Sequence, residues 1–165
     1  MDDAPALLAF ELANRAYFES WINARDPSYY SLDGVRTAIE AAAQARVGDR
    51  GYQYLAIDDG RIVGRVNLTN VRRPYYNAAE LGYRVGEHEG GKGVASRAVA
   101  LCLAEAFGPL ALWRIEATAR PANAASIRVL ERSGFQAFGH SRRCFRLHGD
   151  WFDLVHFERH ADAAC

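Results

Sequence analysis

Three glycines in four residues, Gly90-Gly91-Lys92-Gly93, stand between a short β-rich segment and a long helical one. No other feature of the chain limits its fold as tightly. Residues 79–85 (AELGYRV) read as a strand. Behind the glycines, residues 94–107 place Val94, Ala98, Leu101 and Cys102 on one predicted helical face before Gly108-Pro109 ends the helix. A strand fed through glycines into a helix gathers the free N–H groups of the first turn, and the positive end of the helix dipole, where no Cβ blocks a ligand. Phosphate suits such a place. The simpler reading is a strand–helix turn that needs glycine only for its conformational freedom.

The remaining segments follow from periodicity. Residues 7–22 predict a helix with Leu8, Leu12, Ala16, Tyr17 and Trp21 on one face, stopped by Asp26-Pro27. Residues 32–46 predict a second, with Asp33 as cap and Gly48 past its end. The period then changes to two. Residues 51–60 and 61–71 form β-rich runs joined by Asp59-Gly60, a strong hairpin signal. Residues 112–119 (LWRIEATA) are the next strand, 121–132 a helix closed by Ser133-Gly134, and 135–147 with 151–157 a final antiparallel pair around His148-Gly149-Asp150. The order ααβββαβαββ describes a mixed α/β (α+β) sheet rather than a doubly wound one, and a length of 165 residues without a linker or repeat predicts one domain over 1–165.

Composition excludes several classes. Half the residues are apolar or aromatic, which is incompatible with wholesale disorder. Twenty basic residues cancel twenty acidic ones, so no general polyanion or nucleic-acid coat is expected. Lys92 is the only lysine among those basic residues, a bias an arginine-rich genome also produces. Cys102, Cys144 and Cys165 lie far apart with no C-x-x-C pair, which argues against a disulfide framework and for a reducing compartment. No secretion signal or apolar run of ~18 residues is present, so a cytoplasmic chain without membrane attachment is expected. His88, His140, His148, His156 and His160 show no metal-ligand spacing, and no metal is expected. Arg72-Arg73 and Arg142-Arg143 read as solvated loop charge, although either pair would attract an anion.

Two familiar phosphate motifs fail at the glycines. Gly86-x-x-x-x-Gly91-Lys92 approaches a nucleotide P-loop, but Gly93 stands where the magnesium-binding hydroxyl belongs. A dinucleotide fingerprint would need glycine at Ser96. The stretch Gly90-Gly91-Lys92-Gly93-Val94-Ala95 instead resembles the Q/R-x-x-G-x-G/A turn of the Gcn5-related N-acetyltransferase (GNAT) superfamily, with Gly90 in place of the usual glutamine or arginine. ARPANAASIRVLERSGF (119–135) is similar to that superfamily's second hallmark, an N-x-x-S segment opening a helix that closes on Gly-Phe. Residues 11–30, 62–93 and 143–157 look like the RimJ/RimL branch, whose RimJ members acetylate the N-terminal alanine of a ribosomal protein.

The resemblance implies an acyl-CoA N-acyltransferase fold: a mostly antiparallel mixed sheet of about six strands flanked by helices, with the strands at 79–85 and 112–119 splayed to admit pantetheine. The strand that members usually place first is not found ahead of residue 7: either it is absent, which would leave one edge less protected, or the start site was trimmed. Acetyl-CoA is the implied co-substrate. Gly90, Gly91, Lys92, Gly93, Val94, Ala95 and Ser96 would cradle its diphosphate, and the backbone of Tyr83, Arg84 and Val85 would pair with its pantetheine arm. An N–H there would also stabilise the oxyanion; losing one such donor costs ~2.7–4 kcal/mol of barrier. Asn123 would hydrogen-bond the coenzyme, or serve only as an N-cap.

Catalytic roles are implied with less uniqueness. Ser126 matches the serine of RimL-like enzymes that reaches the thiolate, and equally suits a first-turn cap. Leu130 stands where many members carry a tyrosine, and Phe145 where RimL-like enzymes carry a glutamate, which shifts weight to positioning. Glu116 is the first candidate base and Glu80 its rival, each also readable as a solvated strand carboxylate. Trp21, Tyr29 and Tyr30 fall in the region that forms one acceptor wall in RimJ-like proteins, and otherwise are packing residues. The implied acceptor is a protein N-terminal amine, with that of a ribosomal protein among the candidates, met directly in a ternary complex by a monomer or homodimer. A small amine (amino acid, polyamine or antibiotic) keeps the chemistry and changes the acceptor; a non-catalytic acyl-CoA-binding module is the alternative of a different class.

Overall fold

A computed structural model describes residues 3–162, so Cys165 lies outside the described residues. Helices α1 (Ala4–Ala13), α2 (Arg15–Glu19) and α3 (Leu32–Val47) precede strands β1 (Tyr52–Asp58), β2 (Arg61–Arg72) and β3 (Ala78–Val85). Then come α4 (Val94–Phe107), β4 (Arg114–Ala119), α5 (Ala124–Arg132), β5 (Gln136–Leu147) and β6 (Asp150–His160). The six strands form one sheet in the order β1-β2-β3-β4-β6-β5, antiparallel except where β3 meets β4. The expected mixed, mostly antiparallel architecture is therefore observed. No helix among the described residues is long and apolar enough to cross a membrane.

The hairpin at Asp59-Gly60 forms as predicted, with both residues at positive φ (47° and 73°), which matches the twist of the flanking strands. Alternation along β1 and β2 supplies two layers. Tyr52, Val66 and Leu68 join Ala79, Leu81 and Ile115 under α4 and α5, with Val99, Cys102, Leu103 and Ala106 from α4. Leu55 and Ile62 join Ala4, Leu7, Phe10, Phe18, Tyr29 and Val35 under α1–α3.

Three local expectations are corrected. The helix predicted over 7–22 is two helices that begin at Ala4 and break at Asn14, whose Nδ2 donates to the Phe10 carbonyl (2.9 Å) while its Oδ1 accepts from Glu87 N–H (2.9 Å). Its buried side is Ala4, Leu7, Phe10, Glu11 and Phe18, and Leu12 is exposed, because a buried glutamate displaces the stripe that apolar spacing selects. The cap of α3 is Ser31, whose Oγ accepts from Gly34 N–H (3.0 Å), not Asp33 one residue inside the helix. On α4 the buried side is Val94, Val99, Cys102, Leu103 and Ala106, whereas Leu101 faces solvent.

Burial also separates the two described cysteines. Cys102 is packed against the sheet and its thiol is pushed up to about 12 by desolvation; Cys144 is exposed. A thiol-alkylating reagent at pH 8 is expected to label Cys144 and spare Cys102, read by peptide mass mapping. Equal labelling would mean that α4 does not stay docked.

Candidate active site

The two central strands pair at only three rungs, Ala78–Arg114, Ala79–Ile115 and Glu80–Glu116. Beyond these they part, leaving the facing edges of residues 81–85 and 117–119 without a strand partner between them. The wedge opens into a cavity of about 590 Å³ lined by Leu81–Val85 (residues 81–85), by residues 117–120, by the glycine turn and by α5. That volume accommodates a sizeable small molecule.

One wall is built from backbone. Gly91 and Gly93 adopt φ of 76° and 75°, a region costly for any residue with a Cβ, while Gly90 at φ −59° has ordinary backbone. The turn thus demands glycine by conformation at the second and fourth positions, whereas at the first a Cβ would stand 3.3 Å from the Glu87 carbonyl oxygen. Gly93 caps α4 without a side chain, and the helix ladder starts with Arg97 N–H donating to the Gly93 carbonyl (3.0 Å). The N–H groups of Val94, Ala95 and Ser96 precede that ladder and have no intrahelical acceptor. All three residues, with Gly90, Gly91 and Gly93, line the cavity. Lys92 does not line it; its Nζ pairs with Glu89 at 3.2 Å.

The opposite end of this wall is α5. Asn123 Oδ1 accepts from Ser126 N–H (3.0 Å), so the cap is made and Nδ2 is the atom left to meet a ligand. Ser126 Oγ lies 2.9 Å from the Tyr83 hydroxyl, whose proton is held more tightly than in a free phenol because the group is buried. The sequence reading assigned Tyr83 through its backbone; its side chain is the group that reaches Ser126. Leu130 is buried in the core and offers no proton.

Glu116 and Glu80 sit on the closing rung of the wedge rather than on the cavity wall. Glu116 is ion-paired with Arg72 (3.0 Å) and Arg114 (3.1 Å), and Glu80 accepts from Asn70 Nδ2 (2.7 Å). Of the three aromatic residues expected at the acceptor wall, only Trp21 lines the cavity. Tyr29 is buried with its hydroxyl accepting from Arg65 Nη1 (2.9 Å), and Tyr30 reaches Glu19 (3.3 Å), so both brace the helical layer. Tyr17, Phe18, Ile22, Phe145, Leu154 and Arg120 complete that wall; sequence reasoning did not single out most of them because their elements meet only in the fold. No group of three or more His, Cys, Asp or Glu among the described residues is arranged to hold a metal.

Comparison with known proteins gives consistent results. The family model described as an acetyltransferase (GNAT) domain matches residues 1–136. The chain is 34% identical over 153 residues to a protein named Probable N-acetyltransferase YjcK of Bacillus subtilis (strain 168), covering 92% of this chain and 84% of that protein. It is 26% identical over 155 residues to the [Ribosomal protein uS5]-alanine N-acetyltransferase of Escherichia coli (strain K12), covering 93% of this chain and 80% of that one. Among solved structures, Mycobacterium smegmatis RimJ in complex with CoA-disulfide superposes with a TM-score of 0.89 at 28% identity, over 96% of this chain and 78% of that chain.

Proposed function

The chain belongs to the GNAT acetyltransferase family, and on that footing we propose that it transfers the acetyl group of acetyl-CoA to the N-terminal amine of a protein. The observation that carries this reading is the wedge between β3 and β4, with unpaired strand edges on both sides and free helix amides at its mouth. The ribosomal-protein acetyltransferase among the relatives supports a protein N-terminus as acceptor.

Bound acetyl-CoA supplies an activated acetyl carbon as a thioester. The amides of Val94, Ala95 and Ser96 and the open backbone of Gly91 and Gly93 hold the diphosphate, and the β3 edge at Tyr83–Val85 (residues 83–85) aligns the pantetheine arm. The amine nitrogen, neutral after losing its proton to water, forms a bond to the acetyl carbon as the carbon–sulfur bond breaks. The departing sulfur takes its proton from Ser126 Oγ, which is replenished by the Tyr83 hydroxyl bonded to it, and the proton that the acylated nitrogen sheds passes through water to restore Tyr83. Burial keeps Tyr83 protonated through neutral pH. Glu116 is already neutralised by two arginines and is assigned no proton transfer.

Ser126→Ala and Tyr83→Phe are each expected to lower kcat about 100-fold, with the double variant little worse than either single one, since the two hydroxyls form one relay. Stopped-flow detection of thiol release on the pure protein, with coenzyme affinity measured in parallel, checks this. An unchanged kcat in both variants would remove the relay. Glu116→Gln is expected to change kcat by less than about threefold, and a loss of about 100-fold would return it to the role of base.

A further inference from the structure

The side chains of β3 alternate, so Tyr83 faces α5 while Arg84 faces α1 on the other side of the sheet. There Glu11 Oε1 accepts from Arg65 Nη1 (2.6 Å) and from Arg84 Nη2 (2.7 Å). Glu11 is 1% exposed and Arg65 5% exposed, and the other groups on Arg65, Tyr29 and Gln53, are neutral. One carboxylate therefore answers two guanidiniums. A third, Arg25, lies close enough to act on Arg84, and its Nε is buried without a hydrogen-bond partner. Desolvation and these neighbours push Arg84 down to about 10, against the pull of Glu11. Arg84 is also a lining residue of the cavity, and its side chain is the more exposed of the two guanidiniums on Glu11, 16% against 6%.

A second cation lines the same cavity. Arg120, just past β4, has its guanidinium 5.4 Å from the Trp21 ring centre and 3.8 Å from that of Phe152, and its Nε is also buried without a partner. Arg84 lies 4.8 Å over Phe18, so one cation stacks on α2 and the other on Trp21 just past it and on Phe152 of β6. Glu89, the one acidic residue on the cavity wall among the described residues, is paired with Lys92 beside the glycine turn. The side of the wedge away from the free amides is thus aromatic and positive, which repels a polyamine and leaves buried charge that an anion would neutralise.

We propose that Arg84 and Arg120 select an acceptor that carries a carboxylate close to its reacting amine, in a protein N-terminus an Asp or Glu side chain at the second or third residue. This rests on the acetyl-transfer reading above. The carboxylate lies between the two guanidiniums, and the amine is thereby placed on the acetyl carbon rather than drawn into the positive pocket. A free acidic amino acid offers the same chemistry from a second source.

The test uses matched hexapeptides that begin Ala-Asp, Ala-Glu, Ala-Gln or Ala-Lys, beside free glutamate and spermidine, with kcat/KM read by thiol release. The acidic peptides are expected to exceed the glutamine peptide about 10-fold and the lysine peptide by more, with the margin shrinking as salt rises. Arg120→Gln is expected to bring the acidic-to-neutral ratio near one, while Arg120→Lys retains most of it and controls for lost packing. Calorimetry with the N-acetylated product peptides and CoA supplies a readout independent of turnover. Equal rates and equal product affinities for acidic and neutral peptides would overturn the inference and leave amine acetylation standing. Turnover of glutamate with no peptide acetylated would overturn the protein N-terminus and keep the carboxylate. Failure to acetylate any amine would end the functional reading, and the acidic and neutral product affinities would still decide the carboxylate.

Discussion

Glu11→Ala is expected to destabilise the fold by about 3–5 kcal/mol, because it leaves Arg65 as an unanswered charge in a site that water does not reach. For a domain of this size that corresponds to a fall in melting temperature of roughly 6–20 °C. Arg84, more exposed than Arg65, can turn toward the cavity and recover solvation, so the penalty falls mainly on Arg65. The double variant Glu11→Leu with Arg65→Met is expected to regain most of the loss, since apolar groups of similar volume replace a buried pair at little net cost. Thermal denaturation followed by circular dichroism reads both. A single variant within about 1 kcal/mol of the parent would mean that the carboxylate does not neutralise the guanidinium.

Gly93→Asp is expected to weaken CoA binding on the order of 100-fold, equivalent to ~2.7 kcal/mol. Two effects act together. A side chain at φ 75° strains the turn that aims the α4 amides, and a carboxylate at the cap occupies the positive end of the dipole with charge of the same sign as the diphosphate. Gly90→Gln tests the same turn from the opposite direction, because the backbone at that position is ordinary and a new Cβ would meet only the Glu87 carbonyl oxygen, at 3.3 Å. It is expected to bind CoA at least as well as the parent in calorimetry. Unaltered affinity in Gly93→Asp would place the diphosphate elsewhere.

Much of the wedge was legible in the chain because its signals are local. Glycines at positive φ, the Asp59-Gly60 turn and the Asn123 cap each act within a few residues; the turn forms where the sequence predicts, and the cap is the alternative the sequence offers for Asn123 beside a coenzyme contact. What escaped was long-range. Glu11 reads as the polar side of an amphipathic helix until Arg65 and Arg84, from two strands, close on it. Glu116 reads as an available base until Arg72 and Arg114 fold over it. Tyr83 shows only its strand position, and no spacing along the chain announces that its hydroxyl meets Ser126. In each case the missing information is how elements distant in the chain meet, strand against strand for Arg72 and Glu116 and helix against strand for Glu11 and Ser126.

The short union of β3 and β4 has a mechanical consequence. With three rungs joining them, β1-β2-β3 and β4-β6-β5 behave as two leaves sharing a short spine, and the backbone along the open margin lacks the bonds that stiffen a continuous sheet. A guest lying in that gap and bonding to both leaves serves as a removable splint. If that guest is the coenzyme, as proposed, the protein is most rigid when loaded and loosest after its product has departed, and the leaves themselves help to set how fast the spent coenzyme is let go.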